Sequence, residues 1–248
     1  MLLSGGGRFA PYQPSGSQLL RKSLAFLALG LVASGTGLAA AAPLYEPATD
    51  AALSKTVLFV GDSNISRGAT QITEALTNRA NGYLPIFTPR GGMGIRGYKD
   101  GWCPTGVTVP CAAPDYWKIR LAAVLASVHP DAIVIDLGIN DASAVGTPTS
   151  AGYGDYDAKI SWLLAQLPPG VPVFWSGLPT PLEPKSLQVG AGVVNGAIAR
   201  SGVHVLRWYA AAYLHPEYML AAGRNVHYSP AGYTAWSAMV ATALDAQP

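Results

Sequence analysis

From residue 55 onward the chain alternates two kinds of apolar pattern. Short, nearly continuous apolar runs lie at 55–60 (KTVLFV), 84–88, 131–137 (DAIVIDL), 171–176 and 203–207. Between them, apolar residues recur every three to four positions. Ile65, Ala69, Ile72, Leu76 and Ala80 form one such stripe, and Trp117, Leu121, Val124, Leu125 and Val128 another. Ile160, Leu163, Leu164 and Leu167 form a third. The continuous runs read as strands buried on both faces, and the spaced stripes as amphipathic helices. Further helices are expected over 187–201 and from Ser229-Pro230 to about Leu244, where Pro suits the first helical turn. Strand–helix alternation with a right-handed crossover rule implies a parallel sheet covered on both sides. The expectation is an α/β fold, a three-layer α/β/α sandwich around a five-stranded parallel sheet of flavodoxin-like type.

In such sheets ligands bind beyond the carboxyl ends of the strands. Four polar or Gly-rich segments fall at those ends or in the loops beyond them: Gly61-Asp62-Ser63-Asn64, Gly91-Gly92-Met93-Gly94, Gly138-Ile139-Asn140-Asp141, and the loop carrying His227. They are distant in sequence, yet this architecture brings them to one rim. Ser63 sits at a strand-to-helix turn, where its hydroxyl faces the cleft and the helix N-terminus favours negative charge. A Ser hydroxyl needs a base to become nucleophilic, and His is the usual one. Of the four histidines, His129 precedes a strand at the opposite edge, His204 lies inside a strand, and His215 precedes Pro216 in a loop. His227 is the best-placed base. Asp62 and Asp141 suit hydrogen bonds to nearby backbone N–H groups. A serine at a helix start is also a common N-cap, so the serine gains meaning from its partners.

The four segments, in this order, resemble the sequence blocks of the SGNH (GDSL-type) hydrolases over roughly residues 55 to 245. Asn64 stands where that family most often has Leu. The resemblance implies that Ser63 and His227 are catalytic. It also implies that the Ser63 N–H, the Gly94 N–H and the Asn140 amide form the oxyanion hole, with Gly91, Gly92 and Gly97 competing for the place of Gly94. It implies carboxylic ester hydrolysis with no metal and no organic cofactor. The chain departs from the pattern at one place. The family usually carries an Asp three residues before the His, and here that position is Arg224. The acid normally holds the imidazole tautomer and stabilises the imidazolium, which Arg does not do. Three readings follow: a backbone carbonyl orients His227 in a Ser-His dyad; another acid substitutes, with Glu217 the nearest and Asp245 a poorer candidate; or the domain binds without catalysis. Arg224 is a candidate contact for an anionic or hydroxylated substrate. Tyr98, Trp102, Trp208 and Tyr209 are candidate pocket walls or, equally, core residues.

Composition narrows the partners. Half of the residues are apolar, 12% are charged and the net charge is +2. The 16 Lys and Arg residues are scattered, so no electrostatic footprint for nucleic acid exists. Residues 1–42 read as an export signal. Arg21-Lys22 precede an apolar stretch, small residues follow, and Leu38-Ala39-Ala40-Ala41-Ala42 offers a cleavage site. An uncleaved membrane anchor is the alternative, and no second segment is long and apolar enough to span a bilayer. Residues 43–54 read as a linker and 55–248 as the hydrolase-type domain. In an exported chain the pair Cys103 and Cys111 suggests one disulfide closing a short loop. The expected substrate is therefore an acyl ester, glycan- or lipid-linked or small, outside the cell or in its envelope. O-acyl transfer to envelope glycans and non-catalytic glycan binding are the rival readings.

Overall fold

The computed structural model describes residues 55–79, 82–95, 113–145, 156–179, 185–220 and 226–247. Five strands form one sheet: β1 (Lys55–Gly61), β2 (Tyr83–Pro89), β3 (Ala132–Asp136), β4 (Val173–Ser176) and β5 (His204–Leu206). All neighbours are parallel and the order is β2-β1-β3-β4-β5. The helices are α1 (Ser63–Thr77), α2 (Ala113–Leu125), α3 (Ile139–Val145), α4 (Tyr156–Leu164), α5 (Lys185–Arg200), α6 (Trp208–Leu214) and α7 (Pro230–Asp245). A 3-10 turn, Pro216–Tyr218, follows α6. Among the described residues, no helix is long and apolar enough to cross a membrane.

The period-2 alternation of the strands builds two cores. Val57 and Phe59 of β1, with Val134 of β3, face α1 and α7 through Ile65, Ile72, Leu76, Trp236 and Val240. Leu58 and Val60, with Ile133 and Ile135, face the other layer through Trp117, Leu121, Ile160, Leu163, Val194 and Ile198. Each such side chain removed from water contributes about 1.5–3 kcal/mol. The continuous apolar runs are the consequence of burial on both faces.

The strand order sets the functional geometry. β2 lies on one side of β1 and β3 on the other, so the connections leave in opposite senses from the ends of β1 and β3. That crevice is where an open α/β sheet accepts ligands. Two elements refine the expectation. The Gly138-Ile139-Asn140-Asp141 segment lies at the end of β3, as expected, and forms the entry into α3. Gly138 permits this turn: its φ is +125°, and a Cβ there would come 2.7 Å from Val194 Cγ1. Trp208 opens α6 and is wholly buried, stacked on Tyr218 with ring centroids 5.7 Å apart. It is core and not a pocket wall, because α6 turns it back onto the α7 layer.

Candidate active site

Ser63 is the first residue of α1, directly after β1. Asp62 caps that helix: its Oδ1 accepts the Asn64 N–H at 2.9 Å, and its carbonyl accepts the Ser66 N–H at 3.2 Å. The Ser63 N–H thus belongs to the first turn, where no intrahelical acceptor exists. The glycine segment is drawn alongside because Gly61 O accepts the Arg90 N–H at 2.8 Å. A Cβ on Gly91 would lie 3.9 Å from Ser63 Cβ. Gly94 is locked from both sides. Its carbonyl accepts from Trp117 Nε1 at 2.9 Å, and a Cβ there would come 2.3 Å from Asp141 Oδ1. Only glycine fits that approach without a shift.

His227 arrives from the loop before α7. Its carbonyl accepts the Leu220 N–H at 3.1 Å, and Ser229 N–H reaches Tyr218 O at 2.8 Å, so the loop lies against the segment after the 3-10 turn. Ser229 then caps α7, accepting the Gly232 N–H at 3.1 Å. The outcome is a contact across 164 positions of sequence: Ser63 Oγ lies 2.9 Å from His227 Nε2. The ring is half-buried, and burial, followed by the positive charge of Arg67, holds its pKa below the usual histidine value. A neutral imidazole with Nε2 facing a hydroxyl is competent to accept its proton.

Below this pair lies a buried polar layer. Asp62, Asp136 and Asp141 are all buried. Asp62 Oδ2 accepts from Asn140 Nδ2 at 2.7 Å. Asp141 Oδ2 accepts the Ile95 N–H at 2.8 Å and the Tyr156 hydroxyl at 2.9 Å. Asp136, at the end of β3, accepts from Tyr228 OH at 3.2 and 3.3 Å. Burial, then the charge of Asp136, pushes the Asp62 carboxyl well above the carboxylate range, and burial lifts Asp136 to about 7. The two carboxyls therefore do not both carry full charge at neutral pH. Burial and the same carboxylates push the Tyr228 hydroxyl up as well.

The structure gathers Ser63, His227, Asp62, Asp141, Gly94 and Asn140 at one end of the sheet and revises two roles. Asn140 does not present a free amide. Its Nδ2 donates to Asp62 and, at 3.2 Å, to the Met93 carbonyl, because a half-buried amide is driven to its nearest acceptors. Glu217, the candidate substitute acid, is exposed and engages His215 Nδ1 at 3.0 Å instead. Its own backbone N–H, then His215, hold its carboxyl below the usual value. Asp245 is at the far end of α7, bonded to Arg79 and to Tyr83 OH, because Tyr83 opens β2 at the opposite end of the sheet. Arg224, Cys103, Cys111, Tyr98 and Trp102 lie outside the described residues, as do the export signal at 1–42 and the linker at 43–54.

Three residues escaped sequence reasoning. Asp136 had a signal, an acid closing an otherwise apolar strand. Arg67 had a weaker one, a cation one helical turn after the serine. Tyr228 looked like any aromatic beside the histidine. Cavity size gives no guide here. Two surface cavities, about 740 and 440 Å³, are lined by residues such as Leu167, Pro172 and Gly202, and Lys55, Asp131 and Gly170, and neither is lined by Ser63 or His227.

A serine–histidine pair at the switch point of a five-stranded parallel sheet defines a class. The profile of the GDSL-like lipase/acylhydrolase family matches residues 59–235, and the chain belongs to that family. No curated protein sequence matches it, but solved structures share its fold. A lipase/acylhydrolase from Enterococcus faecalis is 17% identical with a TM-score of 0.54, over 77% of this chain and 95% of the other. The C-terminal catalytic domain of Streptococcus pneumoniae peptidoglycan O-acetyltransferase A, bearing a methylsulfonyl adduct, is 18% identical with a TM-score of 0.52, over 78% and 94%. A carbohydrate acetylesterase from Sinorhizobium meliloti is 15% identical with a TM-score of 0.51, over 77% and 99%.

Proposed function

We propose that this chain is an exported serine ester hydrolase that works through an acyl-enzyme at Ser63. The observation that carries the reading is the 2.9 Å contact between Ser63 Oγ and His227 Nε2 at the N-terminus of α1. His227 Nε2 takes the Ser63 proton as Oγ bonds to the ester carbonyl carbon, and the carbonyl π electrons move to oxygen. That oxyanion is met by the Ser63 N–H, by the Gly94 N–H and by Asn140, whose longer bond to Met93 O yields to the stronger acceptor. Collapse expels the alcohol oxygen, which takes the proton from His227. Water then attacks the acyl-enzyme by the same steps and frees the acid. The substrate is an acyl ester, glycan- or lipid-linked or small. The export pattern at residues 1–42 supports a substrate outside the cell or in its envelope.

Acyl transfer to an envelope glycan is the second reading, favoured by the likeness to the O-acetyltransferase domain. It uses the same acyl-enzyme and replaces water with a sugar hydroxyl. A fluorophosphonate probe tests the shared step. Wild type should label and Ser63→Ala should not, with ester turnover lost in parallel. Folded wild type that fails to label at neutral pH refutes the enzyme reading. Product analysis with and without a sugar acceptor separates transfer from hydrolysis.

A further inference from the structure

We infer that Asn64 is a positioning residue for His227, holding the histidine's backbone to the helix that begins at the serine. The inference rests on the reading of Ser63 and His227 as the working pair. Asn64 is buried, with 3% of its surface exposed. Its Nδ2 donates to the carbonyl of Val226, the residue before His227, at 3.1 Å. Its Oδ1 accepts from Tyr233 OH, inside α7, at 3.2 Å. The opposite amide orientation would set Oδ1 against the Val226 carbonyl, so the partners themselves fix which atom is which. One short side chain thus joins α1, the histidine loop and α7.

The geometry is a pair of rungs. Ser63 contacts His227, and the adjacent Asn64 contacts the adjacent Val226. Two attachments one residue apart fix rotation as well as distance. They differ in what breaks them. The Ser63–His227 hydrogen bond is lost whenever Oγ is acylated, because the proton it shares has left. The Asn64–Val226 bond involves no reacting atom and persists through the cycle. It keeps the imidazole placed for the second half-reaction, whatever the other ring nitrogen bonds. The apolar Leu most common at this position in the family offers neither contact. Tyr233 is seated against α1 closely enough that a Cβ on Gly68 would come 2.7 Å from its ring, so the third attachment is rigid too.

The test compares wild type, Asn64→Leu and Asn64→Leu/Tyr233→Phe as the full chain. The double variant removes the hydroxyl that the single variant leaves buried without its acceptor. That hydroxyl also accepts the Tyr228 N–H, so the double variant is read against Tyr233→Phe alone, and that comparison separates misplacement from instability. Three readouts are taken: melting temperature, kcat and KM on p-nitrophenyl acetate, and the His227 ring signals by NMR. Misplacement of about 1 Å costs on the order of 100-fold, so kcat should fall about 10- to 100-fold in both variants, with KM within about twofold. The melting temperature of the double variant should not fall below that of Tyr233→Phe alone, while its kcat should. The His227 ring should shift and broaden in both. Wild-type kcat and wild-type ring signals in the folded double variant overturn the inference. The ring signals are read whether or not an ester is turned over. An inactive wild type therefore refutes the hydrolase reading alone, and a displaced His227 in the variants still supports the positioning role.

Discussion

Asp62 is the residue whose replacement tests the polar layer most directly. It is wholly buried, caps α1 through the Asn64 N–H at 2.9 Å and holds Asn140 Nδ2 at 2.7 Å. In Asp62→Asn the new side-chain oxygen keeps the helix cap, while its NH2 faces the NH2 of Asn140. A buried donor left without an acceptor costs roughly 1–3 kcal/mol. A neutral amide at position 62 also ends the competition between Asp62 and Asp136 for a shared proton, which offsets part of that cost. A net loss of about 1–2 kcal/mol follows, or a melting temperature lower by roughly 2–8 °C in a domain of this size. The catalytic effect should be larger, because Asn140 is turned away from the oxyanion. Losing one such donor costs about 10²- to 10³-fold in kcat. The assay is kcat and KM on p-nitrophenyl acetate, with thermal unfolding in parallel. Asn140→Ala added to Asp62→Asn should lower kcat by less than about threefold more, since both changes disable one donor. Two results would refute the reasoning. One is a kcat within about threefold of wild type in folded Asp62→Asn; the other is full multiplication of the two effects.

Two further perturbations address the charges around the pair. Arg67 helps hold the His227 pKa below its ordinary value, and the base form is the active one. Arg67→Ala should therefore move the acidic limb of kcat/KM to higher pH, and a limb that stays or moves down contradicts this role. Asp136 has its pKa raised from 3.8 to about 7, so the folded state binds the proton more tightly than the unfolded chain. Its stabilising contribution is full below pH 3.8 and is lost as pH rises through about 7. Asp136→Asn should flatten the decline of melting temperature over that window, and an unchanged slope would contradict the buried-carboxyl account.

Much of this protein is legible in the chain itself. The apolar runs at 55–60 and 131–137 had to be central strands, because nothing else buries both faces of so short a segment. Once strands and helices alternate, parallel order and a rim of strand ends follow. Ser63 and His227 could be singled out because four segments, each at or beyond a strand end, fell in the order that resembles the SGNH hydrolases. Gly138 shows the limit of such signals. Its place at a strand end was legible, but its positive φ and the packing of Val194, which make it the entry to α3, were not.

Tertiary structure alone decided the partnerships. Asn140 read as a free donor, and only the approach of β1 to β3 revealed Asp62 as its acceptor. Glu217 was the nearest acid in sequence to the histidine, but the 3-10 turn directs it to His215. Asp136 lies 92 positions from Tyr228 and their contact leaves no trace in spacing. The physical reason is the range of the interactions. Apolar periodicity reports the local environment of each residue, so sequence determines the elements and their ends. Hydrogen bonds and pKa shifts act over a few ångströms between groups far apart in the chain. They exist only after the sheet has brought those ends together.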